Sequence, residues 1–286
     1  MLAPEVKFDK GIDQEHAPEL YRPVGLAEGI AGFDAFGDQQ VAFFRAHGYL
    51  VIEDAFTPRE VQDALGGLLD LIDGKNPAYT GLQFEAKARD ILHTLTPEQK
   101  QDYIRKVDRF AEHDARLQAI VSHPRLVDAV SRVMGEPAGL LWDQALLKPP
   151  HIGREKPWHQ DNSMFDHAPD ARIIAAWIAL DEATVENGCM HVIPGTHRAG
   201  PIEHFQRRDF QICDTDVATD RILAVPLRPG GVLLFDGLLH HGTPPNRSPR
   251  RRRSLQCHYA PAAGVAAMDP EERKNAWSGD VKGRKC

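Results

Sequence analysis

Two residues that could bind a metal ion stand two positions apart in the stretch KPWHQDNSMF, at 156–165. Alternate side chains of a β-strand project to the same face, so His159 and Asp161 would point the same way if the stretch is extended. An imidazole and a carboxylate on one face form part of a metal site. So short a pattern is more commonly a surface pair with no ligand, and a third metal-binding residue is therefore needed.

A candidate third ligand lies in LLFDGLLHHGTPP, where His240 and His241 end a strand-like run. Two histidines and one carboxylate on one face of an octahedron are the ligands of non-haem Fe(II) oxygenases, and the opposite positions stay open for a cosubstrate and O2. The residues therefore favour an Fe(II) site built from His159, Asp161 and one of these two histidines. Spacing alone leaves open which histidine is the ligand.

The composition is that of a soluble globular protein. The chain has 286 residues, 42% of them hydrophobic, which suffices for a substantial core. It has no run of about 18 apolar residues, and its first twenty residues mix charges with prolines, so we expect neither a membrane span nor a secretory signal. The net charge of −7 gives no general attraction to nucleic acid. We expect a monomer or small homo-oligomer that binds a small-molecule substrate.

The cysteines bear on the cellular compartment. The four cysteines, at positions 189, 213, 257 and 286, are far apart and form no C-x-x-C pair. This spacing argues against a disulfide framework and against a zinc site with thiolate ligands. We therefore expect a reducing compartment, and a cytoplasmic location.

The predicted secondary structure that must position the candidate ligands changes near residue 137, from mostly helices to mostly short strands. In residues 1–136, TPRE at 57–60 and TPEQ at 96–99 each place a threonine N-cap before a proline, with Glu or Gln three residues after the cap. These motifs predict helices. SHPRLVDAVSRVMG at 122–135 has the pattern of an amphipathic helix that ends before its glycine. One short strand, GYLVIED at 48–54, interrupts this mostly helical region.

Residues 137–262 contain brief strand-like runs separated by Gly, Pro, Asn or Asp: LLWDQALLK, RIIAAWIAL, MHVIPG, RILAVPL, GVLLFDG and SLQCHYA. Many short strands in one block favour an antiparallel sandwich or barrel over a Rossmann sheet, in which strands and helices alternate. Residues 263–286 are polar, and we expect this tail to be loosely attached. We predict a single domain over residues 1–286 that is mainly β with flanking helices.

The sequence resembles the phytanoyl-CoA dioxygenase (PhyH) family of Fe(II)/2-oxoglutarate oxygenases, from about residue 106 to about residue 260. The motifs that carry the resemblance are, in chain order, KVDRF, LLKPP, WHQD, AAWIALDEAT, ENGCMHVIPGTHR and HGTPPNRSPRRRRSLQCHY. The resemblance implies a double-stranded β-helix, or jelly roll, of the cupin-like kind, backed by helices. It also implies Fe(II) as the metal, with 2-oxoglutarate and O2 as cosubstrates.

The resemblance implies which histidine binds the iron. In the family, the distal ligand precedes Gly-Ser or Gly-Thr, and an arginine eleven residues later pairs with the far carboxylate of 2-oxoglutarate. Here HGT selects His241, and Arg252 follows it by eleven residues. A planar guanidinium suits this role because it can hold a carboxylate with two parallel hydrogen bonds. His240 then becomes a neighbouring or packing residue, and the other arginines of the run form a solvated basic patch.

Further positions resemble those of the family's cosubstrate pocket. Thr243 matches a hydroxyl residue that helps the arginine, and Trp177 matches an aromatic wall beside 2-oxoglutarate. Gln144 and Lys106 also match pocket positions, and we expect Gln160 to border the substrate. Each has an ordinary alternative: a core position for the tryptophan, a strand position for the first glutamine and a solvated helix surface for the lysine.

The implied reaction is oxidative decarboxylation of 2-oxoglutarate to succinate and CO2, coupled to hydroxylation of an aliphatic C–H bond in a small molecule or acyl substrate. Asp161 favours hydroxylation, because related halogenases have a small residue at its position. Two alternatives stay open: a jelly-roll metal enzyme of another class, and a non-catalytic binding protein on the same fold. Arg252 and Thr243 argue against the first, and the intact ligand set argues against the second.

Overall fold

The computed structural model describes residues 6–12 and 14–286. The helices within these ranges are α1 Asp38–His47, α2 Pro58–Ile72, α3 Pro97–Lys100, α4 Ala115–Val121, α5 Pro124–Met134 and α6 Pro270–Trp277. The strands are β1 Lys7–Phe8, β2 Gly25–Leu26, β3 Gly29–Ala31, β4 Tyr49–Glu53, β5 Leu82–Phe84, β6 Ile104–Asp108, β7 Ala138–Lys148, β8 Lys156–His159, β9 Ile174–Ala179, β10 Met190–Val192, β11 His204–Gln206, β12 Phe210–Ile212, β13 Leu223–Val225, β14 Val232–Asp236, β15 His241–Thr243 and β16 Arg252–Pro261.

Two sheets form the predicted jelly roll. The larger sheet has nine strands in the order β1-β5-β6-β7-β16-β9-β14-β4-β3, and the smaller has five in the order β2-β13-β10-β15-β8. Strands β11 and β12 form a separate hairpin. Non-consecutive strands are neighbours throughout the smaller sheet and at most positions of the larger one, as expected for a jelly roll and not for a chain of simple hairpins. The predicted fold class, mainly β with flanking helices, is confirmed.

Both faces of the larger sheet are buried at its central strands β9, β14 and β16, and strand parity decides which residues occupy each face. In β9, Ile178 packs with the helices, whereas its neighbour Trp177 packs with residues of the smaller sheet. In β16, Leu255 packs on the helical side, and the alternate residues Gln256 and Arg252 face the interior between the sheets. The interior face of β16 is therefore polar, although the strand is buried on both sides.

The three helix motifs predicted in residues 1–136 each begin or end a helix, but these helices differ in length. Thr57 caps α2 through the backbone N–H of Glu60, as the capping box predicts. Gly135 ends α5 with a φ of 84°, in the left-handed region that favours glycine. The TPEQ box also forms, but α3 has only 4 residues because the chain passes through the turn Gln101–Tyr103 into β6.

Helices make up most of the regular structure before residue 137, as predicted, but the prediction of a single short strand there is wrong. Strands β1 to β6 all precede residue 137, and four of them, β1, β3, β5 and β6, join β4 in the larger sheet. These added strands are two to five residues long and several lie at sheet edges. Such short segments show little alternation of apolar and polar residues, so periodicity does not reveal them.

The prediction of a loosely attached tail is also wrong. Helix α6 buries Trp277 completely, and the Trp277 ring meets His204 edge to face with 5.4 Å between ring centroids. Arg273 donates a hydrogen bond of 2.7 Å to the carbonyl of Ser163, in the turn that follows the candidate ligand Asp161. One buried aromatic residue and a few polar contacts hold a segment whose overall composition is polar.

The cysteines also depart from expectation. Cys213 and Cys286 form a disulfide that joins the region after β12 to the end of the chain, while Cys189 and Cys257 are buried and free. The paired cysteines are 73 residues apart in sequence, so their proximity depends on the docked tail. Within residues 6–12 and 14–286, no helix combines the length and apolar character needed to cross a bilayer.

Candidate active site

Strand pairing in the smaller sheet brings the two candidate histidines together. His159 ends β8, His241 begins β15, and the two residues are direct partners in the antiparallel pair. Asp161 follows β8 in the turn Asp161–Met164. The distant HHGT motif therefore reaches the WHQD motif because β8 and β15 are neighbours in the sheet.

The three side chains converge on one point. The Nε2 atoms of His159 and His241 lie 3.2 Å and 3.4 Å from the Oδ1 atom of Asp161. One ligand atom from each residue lies within 4.8 Å of the others, and all three residues are buried. Two imidazole nitrogens and one carboxylate oxygen at this spacing could hold a divalent metal ion, and this donor set suits Fe(II).

Hydrogen bonds fix the histidine tautomers that a metal requires. The Nδ1 atom of His159 lies 2.8 Å from the carbonyl oxygen of Pro157, and the Nδ1 atom of His241 lies 2.9 Å from that of Leu239. A carbonyl only accepts hydrogen bonds, so each Nδ1 carries the proton and each Nε2 presents a lone pair. Burial lowers the pKa of His159 to about 4, which keeps this ligand neutral.

Two residues not predicted from the sequence hold the other oxygen of Asp161. The Nε2 atoms of Gln256 and His258 lie 2.9 Å and 2.8 Å from its Oδ2 atom. A carboxylate oxygen only accepts, so both side chains donate to it. Burial alone would raise the pKa of Asp161, but His241 and His258 hold it well below its usual value. The Oδ2 atom thus already accepts two hydrogen bonds, and the Oδ1 atom is the one that faces His159 and His241.

Arg252 lies on the interior face of β16, at the far end of the same cavity. Its side chain is buried, its guanidinium carbon lies 5.3 Å from the centre of the Trp177 ring, and its Nη1 atom donates to Ser254 at 2.7 Å. Burial lowers the pKa of Arg252 to about 10. The buried Nε atom has no partner among the described residues. A carboxylate in the cavity could satisfy this cation.

The remaining predicted pocket residues line the same cavity, which has a volume of about 300 Å³. Thr243 belongs to β15, two residues beyond His241, and Trp177 is fully buried in β9. Gln144 in β7 and Lys106 in β6 line the wall formed by the larger sheet. Lys106 is in a strand and not on a solvated helix, and burial lowers its pKa.

The structure does not support the prediction for Gln160. Its side-chain amide donates to the carbonyls of Gly200 and Leu238 and accepts from the N–H of Ile202, so it is engaged by backbone groups away from the cavity. The parity that places residues 159 and 161 on one face sends residue 160 to the other.

His240 and the arginines next to Arg252 lie outside the converging group. The side chain of His240 is outside the group of three residues that converge on Asp161, and its backbone N–H donates to Thr196 at 2.9 Å. Outside the cavity, three arginines beside Arg252 each meet a carboxylate: Arg250 with Glu182, Arg251 with Asp102 and Arg253 with Asp181. These arginines are paired, and only Arg252 of the run faces the interior.

Comparisons with known proteins agree with this geometry. The sequence matches the phytanoyl-CoA dioxygenase (PhyH) family over residues 44–254. A relative from Caenorhabditis elegans, described as a probable phytanoyl-CoA dioxygenase, is 29% identical over 254 residues, covering 82% of this chain and 80% of the relative.

Solved structures share the fold. EctD from S. alaskensis, in its apo form, has a TM-score of 0.66 at 24% identity, covering 87% of this chain and 85% of EctD. The epimerase SnoN, in complex with Fe3+, alpha ketoglutarate and nogalamycin RO, has a TM-score of 0.60 at 20% identity, covering 81% of this chain and 86% of SnoN. Because the family match spans most of its length, the chain belongs to the phytanoyl-CoA dioxygenase family of Fe(II)- and 2-oxoglutarate-dependent oxygenases.

Proposed function

We propose that this oxygenase hydroxylates an aliphatic C–H bond of a small molecule or acyl substrate and releases succinate and CO2. The observation that carries the proposal is the convergence of two histidine Nε2 atoms and one Asp161 oxygen in the same cavity as Arg252, whose buried Nε atom has no partner among the described residues. This arrangement supports the assignment of the metal ligands and the carboxylate-binding group to one site.

The residues have separate roles in this proposal. His159, Asp161 and His241 hold the iron, and Arg252 with Thr243 holds the far carboxylate of 2-oxoglutarate. When bound, the iron and 2-oxoglutarate together supply O2 activation. The protein supplies geometry and the exclusion of water: the two histidines present fixed lone pairs, and the fully buried Trp177 closes the cavity wall beside the arginine.

Asp161 supports hydroxylation in preference to halogenation. A halogenase needs room for a halide where this carboxylate stands, and here Gln256 and His258 both hold the carboxylate in place. Asp161 thus fills the space that a halide would need, and its two hydrogen bonds keep the carboxylate there.

We expect the substrate to contact the part of the cavity lining that 2-oxoglutarate does not contact. Met164 and Phe165 follow Asp161 and line the cavity together with Trp142 from β7. These side chains offer apolar contact to a small molecule or acyl group. That the protein acts on such a substrate as a monomer or small homo-oligomer, without nucleic acid or membrane partners and in the cytoplasm, stays a prediction.

The proposal is tested by following succinate release across a panel of candidate substrates. We expect release that requires Fe(II), O2 and 2-oxoglutarate together, with a hydroxylated product for at least one compound. A chlorinated product in the presence of chloride would contradict the hydroxylase assignment. Iron-dependent turnover of a substrate without any need for 2-oxoglutarate would instead support a jelly-roll enzyme of another class.

A further inference from the structure

A second buried cation stands directly beside Arg252. Lys148 is the last residue of β7 and Arg252 the first residue of β16, and the two are direct partners in this antiparallel pair. Partners of this kind project to the same face of a sheet with their Cβ atoms about 4.5–5.5 Å apart. Both residues line the cavity, and their exposed fractions are 4% and 2%.

No carboxylate in the part of the chain that the structure describes forms an ion pair with either cation. Lys148 donates through its Nζ atom to the carbonyl of Arg154 at 2.6 Å and makes no other side-chain hydrogen bond to the described residues. The two acidic groups that act on Lys148 are engaged elsewhere: Glu85 pairs with Arg105, and Glu155 pairs with Arg208.

The other groups around Lys148 carry no negative charge. Arg105 is a further cation, and the thiol of Cys189 and the imidazole of His191 face the lysine from β10 and the segment before it. Burial raises the pKa of Cys189 to about 12 and lowers the pKa of His191 to about 4, so both groups are neutral at physiological pH. The protein alone therefore does not compensate the charge of a protonated Lys148.

Space for this lysine is built into the fold. A Cβ atom at Gly188 would lie 2.8 Å from the Cδ atom of Lys148 and 2.6 Å from the carbonyl oxygen of Pro244. Gly188 also has a φ of 87°. The glycine lets the lysine side chain pass between β7 and the turn before β10, which holds the ammonium group at the arginine end of the cavity.

We propose that Lys148 is a second basic residue, beside Arg252, that binds the far carboxylate of 2-oxoglutarate, and that it takes up a proton from solvent when the cosubstrate binds. The inference rests on the proposed function, since it concerns the same cosubstrate. One carboxylate oxygen pairs with Arg252 and the other with Lys148, so the ligand supplies the negative charge that the two adjacent cations lack.

The direction of the proton transfer follows from the charges. In the unliganded protein, burial and then Arg252 and Arg105 hold the pKa of Lys148 well below its usual value. A carboxylate beside the amine raises that pKa again, because it stabilises the ammonium form. Binding therefore takes up a proton, and the affinity for 2-oxoglutarate falls as the pH rises between the unliganded and liganded pKa values.

The test is isothermal titration calorimetry of protein loaded with Mn(II) in place of Fe(II), so that no reaction with O2 occurs. The binding enthalpy is measured in two buffers of different ionisation enthalpy at slightly alkaline pH, which gives the number of protons taken up. We expect up to about one proton per 2-oxoglutarate bound. The matched ligand is 2-oxopentanoate, which keeps the metal-binding end and lacks the far carboxylate, and it should bind without proton uptake.

Variants separate a binding role from a structural one. Lys148→Met should abolish proton uptake and weaken 2-oxoglutarate binding by about tenfold, while Lys75→Met, at an exposed lysine, should change neither. Binding of 2-oxoglutarate to the wild type without proton uptake would overturn this inference and leave the proposed function intact. Persistence of the uptake in Lys148→Met would also overturn it, and absence of any 2-oxoglutarate binding would overturn both proposals.

Discussion

The two ends of the cavity differ in how their polar atoms are satisfied. At the metal end, the Nδ1 atoms of His159 and His241 donate to carbonyls, and one oxygen of Asp161 accepts from two side chains. At the arginine end, Arg252 keeps a buried Nε atom without a partner, and Lys148 forms no ion pair with any carboxylate that the structure describes.

This difference indicates which parts of the site the protein fixes and which the ligand completes. The hydrogen bonds at the metal end leave three converging lone pairs and lock their orientation before any metal arrives. The arginine end has buried donors that cost about 1–3 kcal/mol each when unsatisfied, so an anionic ligand gains that energy when it binds. The metal end is preorganised, and the arginine end is electrostatically incomplete.

The largest expected effect comes from breaking the metal end directly. His241→Ala should reduce iron affinity by more than about 100-fold, above the range typical of residues that only support a ligand. The matched control is His240→Ala, which removes the adjacent imidazole outside the converging group and should change iron affinity by less than about threefold. Equal losses in the two variants, measured by iron titration, would mean that the metal-binding histidine is misassigned.

The second largest effect is expected from removing the guanidinium of Arg252 at the arginine end of the cavity. Arg252→Ala should weaken 2-oxoglutarate binding by about 100-fold, because hydrogen bonds to charged groups contribute about 1.5–3 kcal/mol. Iron affinity should be unchanged, since the arginine makes no contact with the three converging residues. Arg253→Ala is the matched control, because that side chain pairs with Asp181 outside the cavity. Titration of each variant with 2-oxoglutarate distinguishes them.

A smaller effect should follow from loosening Asp161. Gln256→Leu removes one donor to the Oδ2 atom and should lower iron affinity by about tenfold. Cys257→Ala provides the control: it alters the next residue of β16, which packs on the helical face, so it should lower stability but not iron affinity. If both variants lose iron equally, general destabilisation and not the orientation of the carboxylate explains the result.

The smallest effect on the site is expected from removal of the disulfide between Cys213 and Cys286. Cys213→Ser should lower the free energy of unfolding by about 2–4 kcal/mol, as the loss of a crosslink between distant residues usually does, and should leave iron affinity unchanged. Denaturant titrations with and without reductant measure this. Disulfides rarely persist in the cytoplasm, so thiol labelling of protein taken from cells also tests the predicted location. A fully reduced Cys213 would favour the cytoplasm.

The residue types and their spacing, together with the family resemblance that selected His241 and Arg252, predicted much of the site. His159, Asp161 and His241 converge because WHQD and HHGT lie on neighbouring strands, as a jelly roll requires. Arg252 lies on the same face of β16 as Gln256 and His258, so it lines the cavity, whereas the next residue, Arg253, pairs with Asp181 outside it. The error at Gln160 was avoidable, since the same alternation that joins residues 159 and 161 turns this side chain away.

The rest depended on contacts that no local pattern contains. Gln256 and His258 reach Asp161 across 95 and 97 residues of sequence, and Lys148 meets Arg252 only through the register of β7 with β16. The short strands of the front half pair at sheet edges without a periodic signal. The docked tail buries one tryptophan, Trp277, and the polar sequence around this residue does not indicate its burial.

The most direct test of the central claim is absorption spectroscopy of the protein with Fe(II) and 2-oxoglutarate in the absence of O2. Chelation of the iron by 2-oxoglutarate gives a weak visible charge-transfer band. We predict that the wild-type protein shows this band and that Arg252→Ala loses it at the same cosubstrate concentration. No band in the wild type, with iron binding verified separately, would contradict the assignment of this cavity as an Fe(II)/2-oxoglutarate site.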